Sequence, residues 1–194
     1  MKKMLVLVLM LAVASGALAQ EGARKYAIKS AAAKTMSITG GHETPGVLYF
    51  DDYGEKEILS QTIEVPGLVT YDAAAMNIGD KVYIFNVQDG KRSDAKKSDH
   101  PLYDLNFLNL TDEVKAKYQV EEVGTGEWLG KPCKLYTYVT TQNRRKCTWK
   151  AWVYKGFILK SESKIGRRDV LYEVREFKEN APVPAGTFDI PNVK

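Results

Sequence analysis

The sequence predicts a mainly β (α+β) fold, organised as an antiparallel sheet with little helix. Apolar runs of strand length recur along the 194 residues and end in turns that contain glycine, of which Asp89-Gly90 has the strongest hairpin chemistry. The connections between the runs are short, which favours a meander over crossover connections. A composition of 44% hydrophobic, 27% charged and 10% aromatic residues is that of an ordinary globular domain.

The turns set the order of the predicted strands, of which there are about nine or ten. The run at 47–50 enters a turn at 51–54, and the next run resumes at residue 58. The segments with the composition of strands are 26–38, 47–50, 58–65, 82–87, 127–139, 149–154, 157–159 and 170–177.

One segment departs from this pattern and predicts a helix of about two turns over 111–118. Thr111 is an N-cap candidate, acidic residues occupy the first turn and lysines follow, which complements the helix dipole. The run around Tyr83 and Phe85 is apolar on both faces, so we expect that strand to be covered on both sides. The helix is the candidate for this cover.

The hairpin at Lys155-Gly156 assigns side chains to the two faces of the sheet. A two-residue turn pairs Tyr154 with Phe157 and Trp152 with Leu159, and places all four on one side. This side is more uniformly apolar than the other, so we expect it to face the interior.

The two cysteines, Cys133 and Cys147, lie in neighbouring strand-like runs. A turn centred on Asn143 places Cys147 opposite Val139, six strand positions or roughly 20 Å from Cys133, whereas a disulfide needs Cα atoms within about 7 Å. This register argues against a disulfide. A turn centred on Thr140 would bring the two cysteines together, and an oxidising compartment would then favour the bond.

The first residues have the three parts of a secretory signal peptide. A basic start precedes the apolar run 5–13, and Ala17-Leu18-Ala19 is a small-x-small cleavage site. The apolar run is shorter than the ~20 residues that span a membrane. We therefore expect a signal peptide over 1–19 and a single domain over 20–194. No cysteine follows the cleavage site, so we expect a periplasmic protein of a Gram-negative-type bacterium without a lipid anchor.

Motifs of catalysis and metal binding do not occur in the sequence. His42 and His100 lie in turn-like or polar stretches, and neither has the spacing of a metal ligand to a cysteine or to the other histidine. The sequence has no G-x-S-x-G, H-E-x-x-H, Walker or G-x-G-x-x-G motif. We therefore expect a protein that is not an enzyme and that has no cofactor and no metal site.

The charge balance argues against nucleic acid as a partner. The formal net charge is +4, and it falls to +2 when Lys2 and Lys3 leave with the signal peptide. The basic clusters are typical of solvated turns or charged edge strands. The alternative is that they contact anionic lipid headgroups, which would make the protein peripheral to a membrane at most. These clusters are 91–92, 96–97, 144–146 and 167–168.

Several motifs together resemble a known family. They are LYFDDYGEKE at 48–57, GKPCKLY at 130–136, WVYKGFILK at 152–160 and PAGTFDIP at 184–191. In this order they resemble uncharacterised exported bacterial proteins related to the LolA/LolB-like lipoprotein-carrier superfamily, which sorts outer-membrane lipoproteins. The resemblance implies a curved antiparallel sheet that forms an unclosed β-barrel with a short helical lid, whose concave apolar face holds acyl chains.

The resemblance and the apolar face lead to one functional hypothesis and one alternative. The hypothesis is a monomeric periplasmic protein that binds acyl chains or a lipidated partner, in lipoprotein or envelope lipid handling. The alternative is a ligand-free structural or regulatory envelope protein that binds another protein through the half-barrel. The candidate ligand-binding residues, each of which could also be ordinary core, are Tyr83, Phe85, Trp152, Tyr154, Phe157, Leu159, Tyr172 and Val174.

Overall fold

The computed structural model describes residues 24–65, 69–97, 105–142 and 145–193. The predicted signal peptide lies outside these residues. Within them, twelve strands form a single sheet and one α-helix is present. The strands are β1 (Ala31–Thr39), β2 (His42–Asp51), β3 (Lys56–Val65), β4 (Val69–Ile78), β5 (Lys81–Gln88), β6 (Lys91–Arg92), β7 (Lys96–Lys97), β8 (Glu121–Trp128), β9 (Lys131–Gln142), β10 (Arg145–Tyr154), β11 (Phe157–Ile165) and β12 (Arg168–Glu179), and the helix is α1 (Asp112–Tyr118).

The sheet consists of two meanders that meet at the first and last strands. The order is β6-β5-β4-β3-β2-β1-β12-β11-β10-β9-β8, and β7 pairs with β5. All ladders between these strands are antiparallel. The first meander is β1–β6 and the second is β8–β12. The outer strands β6 and β8 do not pair with each other among the described residues, so the predicted unclosed antiparallel sheet is confirmed.

Two hairpin turns form where the sequence predicts them. The β5–β6 turn at Asp89-Gly90 has φ angles of 51° and 72°, and the β10–β11 turn at Lys155-Gly156 has φ angles of 50° and 86°. Positive φ at both central residues is the type I′ geometry, whose twist matches that of the flanking strands. Glycine at the second position adopts this conformation without steric strain.

The register of β9 and β10 differs by one residue from the predicted one. Cys147 lies opposite Thr140, not opposite Val139. Cys133 is therefore seven positions away along β9, an odd number, so the two cysteines point to opposite faces of the sheet. Both thiols are buried and no disulfide joins them.

A β-bulge between Trp152 and Val153 changes the pairing of β10 and β11. The pair Tyr154–Phe157 forms as predicted, but Trp152 lies opposite Lys160 instead of Leu159. The prediction of a Trp152–Leu159 pair is wrong because the bulge inserts one extra residue beyond the turn.

The side of β10 that is predicted to face the interior packs against a core cluster, and the opposite side is buried as well. Trp149, Ala151 and Val153 are buried on one face, while Trp152 and Tyr154 are partly buried against a different cluster. The side chains on the first face pack against helix α1 and the residues that precede it.

Helix α1 begins where the sequence predicts it, but it covers a different part of the sheet. The Thr111 hydroxyl caps the helix by accepting a hydrogen bond from the backbone N–H of Val114 at 3.3 Å. Val114 and Tyr118 pack against the cluster that contains Tyr138 and Trp149. The helix therefore covers β9 and β10.

The strap, which we define as residues 184–193, covers the face of Tyr83 and Phe85. Phe188 of the strap packs against the buried cluster that contains both rings. The Arg92 guanidinium donates hydrogen bonds to three backbone carbonyls of the strap. The prediction that the helix covers this face is wrong, because the chain that leaves β12 returns across β4 and β5.

Candidate functional site

A cavity of about 330 Å³ lies between the two meanders. Strands β2, β3 and β4 form one wall, and β9 to β12 form the other. The segments that precede β1 and α1 complete the lining. Its residues are Lys25, Tyr26, Leu48, Glu57, Leu59, Ala75, Leu105, Phe107, Tyr138, Trp149, Gly156, Phe157, Ile158, Ser161 and Tyr172.

The antiparallel register aligns the wall residues of the first meander in one row. Leu48 lies opposite Leu59 across β2 and β3, and Leu59 lies opposite Ala75 across β3 and β4. Directly opposed residues share a face of the sheet, so these three side chains form a continuous apolar strip.

The wall of the second meander carries more polar groups. Tyr172 lies opposite Ser161 across β12 and β11, and Tyr138 lies opposite Trp149 across β9 and β10. The Tyr138 and Trp149 rings are stacked, with centroids 6.3 Å apart. Aromatic surface and hydroxyl groups therefore alternate on this wall.

Aromatic rings close one end of the cavity. Phe157 is 3% exposed, and its ring centroid lies 5.2 Å from Tyr26, 5.4 Å from Phe50 and 5.2 Å from Phe177. Tyr26 and Phe50 are themselves in contact, with centroids 4.6 Å apart. Pairs at these distances contribute beyond simple burial, so this end of the cavity is firmly packed.

A charged group lies at the same end. The Glu57 carboxylate accepts a hydrogen bond from Lys25 Nζ at 3.1 Å and another from the Tyr26 hydroxyl. Burial, and then the negative charge of Glu57, raise the pKa of Tyr172 above its ordinary value. The carboxylate therefore places a negative potential near the Tyr172 hydroxyl.

A second ionic cluster joins the turns behind the aromatic end. Glu179 accepts hydrogen bonds from Lys131 at 2.6 Å, from Lys155 at 2.9 Å and from the Tyr154 hydroxyl at 3.1 Å. Burial alone would raise the pKa of Glu179, but these three donors outweigh it and lower that pKa to about 2. The cluster connects the β8–β9 and β10–β11 turns to the end of β12.

The structure places two of the predicted ligand-binding residues, Phe157 and Tyr172, in the cavity wall. Leu159 and Val174 are fully buried in the same core cluster behind this wall, and Tyr154 packs partly buried against it. These residues belong together in space, as the face assignment indicates.

The remaining three predicted residues are Tyr83, Phe85 and Trp152. Ala75 lines the cavity and lies opposite Ile84, so the neighbours of Ile84 in sequence, Tyr83 and Phe85, point the other way. Trp152 packs, like Tyr154, against the core cluster that contains Leu159 and Val174, and alternation along β10 points it away from Trp149. These three side chains do not line the cavity.

Sequence reasoning missed several residues of the lining. The position of Tyr138 in the cavity wall can be predicted from its pairing with Trp149, but this pairing requires the correct β9–β10 register. Lys25, Tyr26 and Glu57 carry no periodic or motif signal, since they meet only through the fold.

The described residues contain no group of three or more His, Cys, Asp or Glu side chains that could hold a metal ion. Within the same part of the chain, no helix has the length and apolar character needed to cross a membrane. The cavity between the meanders is the candidate functional site.

No protein-family model matches the chain, and no match to a curated protein is found. Among solved structures, MucB in the MucA/MucB complex of Pseudomonas aeruginosa has a TM-score of 0.52, with 13% identity and coverage of 86% of this chain and 56% of that chain. A crystal structure of MucB has a TM-score of 0.51 and 13% identity, and the match covers 90% of this chain and 61% of MucB. The lipoprotein LppX of Mycobacterium tuberculosis has a TM-score of 0.42 and 10% identity, and the match covers 81% of this chain and 90% of LppX.

The chain spans less than two thirds of the length of the MucB structures it matches. The similarity to MucB shows that the two proteins share a fold. It thus confirms, at the level of the fold, the resemblance that the sequence motifs indicate.

Proposed function

We propose that the protein is exported to the periplasm and binds a single acyl chain or the hydrophobic group of a lipidated partner in its cavity. Its role would lie in lipoprotein or envelope lipid handling, as a binding protein rather than an enzyme. The observation that carries the proposal is the cavity of about 330 Å³ between the meanders. Small-molecule sites in proteins span roughly 300–1,000 Å³, so this volume is at the lower end and favours one chain over several.

The composition of the wall supports an apolar ligand. At ~30 Å³ for each water, about ten water molecules would fill the cavity. Leu48, Leu59, Leu105, Phe107 and Ile158 offer these waters no hydrogen bonds. Replacing such water with hydrocarbon is favourable, because it removes apolar surface from solvent on both the ligand and the protein.

The alternative function is the binding of another protein, without a lipid. The complex of MucB with MucA favours this alternative, because one protein of the same fold assembles with a protein partner. The two functions differ in one observable: only the first requires that the cavity be occupied by a lipid.

Native mass spectrometry of the protein purified from its host's periplasm, followed by lipid extraction, tests the proposal. We expect a co-purifying acyl species at about one per chain. Ala75→Phe, which fills the cavity, should abolish co-purification. Val47→Phe is the matched control, because Val47 is 40% exposed and does not line the cavity.

A ligand-free mass, together with no thermal shift from added fatty acid or lipopeptide, would contradict lipid binding. Cross-linking in the periplasm would then identify the protein partner that the alternative requires. Circular dichroism of both variants distinguishes a filled cavity from a misfolded chain.

A further inference from the structure

Two basic clusters of the sequence belong to neighbouring hairpins at one end of the sheet. Residues 145–146 begin β10, and residues 164–168 form the β11–β12 turn with the strand ends beside it. The last pair between β10 and β11 towards this end is Trp149 with Ser163, and the chain extends four residues beyond this pair on β10 and into the turn after β11. The two turns are therefore neighbours. We call residues 145–146 and 164–168 the basic rim.

The charge of the basic rim is strongly unbalanced. Residues 145–146 and 164–169 include five basic residues and one acidic residue, Asp169. Asp169 pairs with Lys164 at 3.5 Å, which leaves the other basic residues without an acidic neighbour in the two turns. The exposed basic side chains that form no ion pair with another described residue are Lys146, Arg167 and Arg168.

The β1–β2 turn supports one of these arginines. The backbone N–H of Gly40 donates a hydrogen bond to the carbonyl of Asp169 at 2.9 Å. A Cβ atom at Gly40 would lie 3.5 Å from the Cγ and Cδ atoms of Arg168, so the Arg168 stem passes over this turn. A long basic side chain can pack its stem on the protein while its charged head remains in water. The packing therefore holds the Arg168 charge at the end of the sheet.

At the opposite end of the same strands, basic groups are paired or balanced by acidic ones. Lys131 and Lys155 bind Glu179 at 2.6 Å and 2.9 Å. The exposed Lys81 directly follows the exposed Asp80 in the β4–β5 turn. The aromatic rings that close the cavity also lie at this end, where β11 begins. The basic rim, in contrast, carries an unbalanced positive charge and lies away from the closed end of the cavity.

The chemistry of the basic rim fits an array of phosphate groups. A guanidinium group matches phosphate geometry with two parallel hydrogen bonds, and an ammonium group binds phosphate as a point charge. The charges lie on two separate turns, and the rim residues do not line the cavity. An extended surface with many phosphates can contact both turns at once, whereas one small anion cannot.

The exposed surface of the basic rim favours a membrane over an acidic protein. None of its described residues is an exposed large hydrophobic residue. Stable protein interfaces have an apolar or aromatic core. Binding to anionic lipid needs no such core, because each lysine or arginine near the surface strengthens it about fivefold.

We infer that the basic rim docks the protein on the surface of an anionic phospholipid membrane. The contact is peripheral, electrostatic and reversible. It goes beyond the proposed function, since it uses a surface outside the cavity and requires no ligand within it.

Flotation of the purified protein with lipid vesicles tests this inference. We expect binding to vesicles of equal parts phosphatidylglycerol and phosphatidylcholine, and no binding to phosphatidylcholine alone. Raising NaCl from about 0.05 M to about 0.5 M should release the protein, because salt screens the attraction. The double variant Arg167→Gln and Arg168→Gln should bind the anionic vesicles about 25-fold more weakly, fivefold for each charge.

The matched control is the double variant Lys81→Gln and Lys178→Gln, which removes two exposed charges at the opposite end of the strands. Its binding should stay within about threefold of that of the natural protein. Circular dichroism checks the fold of both variants. If the arginine variant does not fold, Lys146→Gln alone should weaken binding about fivefold.

No binding to anionic vesicles at low salt, equal binding to phosphatidylcholine, or an equal loss in the lysine control would overturn this inference. Retention on immobilised polyglutamate without binding to vesicles would also overturn it and identify an acidic protein as the partner. The arginine variant should still co-purify with an acyl species, and Ala75→Phe should still bind vesicles. The docking inference and the proposed function can therefore fail separately.

Discussion

Replacing Glu179 with glutamine should destabilise the protein in a pH-dependent manner. The carboxylate receives hydrogen bonds from two lysines, Lys131 and Lys155, and from the Tyr154 hydroxyl. These donors lower the pKa of Glu179 to about 2 against the burial that opposes ionisation. The folded state therefore stabilises the ionised Glu179 carboxylate more than the unfolded state does.

The magnitude follows from the difference in pKa between the two states. The ordinary pKa of 4.5 falls to about 2, and each pKa unit corresponds to ~1.4 kcal/mol, so the ceiling is about 3 kcal/mol. The Lys155 side chain is 45% exposed, and solvent screening reduces the contribution to about 1–2 kcal/mol at pH 7. Because the pKa is lower in the folded state, this contribution is complete above pH ~4.5 and is lost as the pH falls towards 2.

Urea unfolding of the natural protein and of Glu179→Gln at pH 7 and pH 3 measures the effect. The difference in the free energy of unfolding should fall by about half or more at pH 3. Glu176→Gln is the control, since Glu176 pairs with Lys34 on the open surface and should change stability far less at either pH. A deficit of equal size at both pH values, or an equal loss in the control, would refute the electrostatic explanation.

Two further substitutions test the packing at the two ends of the molecule. Phe157→Ala should lower the free energy of unfolding, measured in urea, by about 3–5 kcal/mol, because it leaves a void between three rings. A loss below about 1 kcal/mol would show that these rings are not closely packed. Arg92→Ala should release the strap, so limited proteolysis should cleave within 184–193 faster than in the natural protein, since three carbonyls lose their donor. Unchanged cleavage would show that Phe188 and the backbone hydrogen bond from Ala95 to Asn192 hold the strap without Arg92.

The sequence predicts the sheet well because its signals are local. A two-residue turn such as Asp89-Gly90 fixes both the turn type and the pairing of its flanks, and the Thr111 cap fixes the start of the helix. The β9–β10 turn has no comparable signal, and the predicted register is one residue off. That single position moves every paired side chain to a new partner.

The site was only partly predictable, for reasons that are not local. The bulge between Trp152 and Val153 has no marker such as glycine, yet it changes the partner of Trp152. Which segment covers each face of the sheet depends on where the helix and the strap pack against it. The hydrophobic periodicity of the sequence does not encode these positions. Tyr83 and Phe85 have a cover, as predicted, but they lie on the face of β5 that points away from the cavity, where the strap covers them.

The cavity exists because two locally specified meanders meet along one ladder, that of β1 and β12. Each meander contributes a wall of different chemistry: Leu48, Leu59 and Ala75 are apolar, whereas Tyr172 and Ser161 carry hydroxyl groups. For the acyl ligand proposed above, these walls favour one orientation, because turning the molecule over would place its polar group on hydrocarbon. The difference between the two walls would therefore fix which way the polar group of the proposed ligand points, whereas a symmetric apolar tunnel would not.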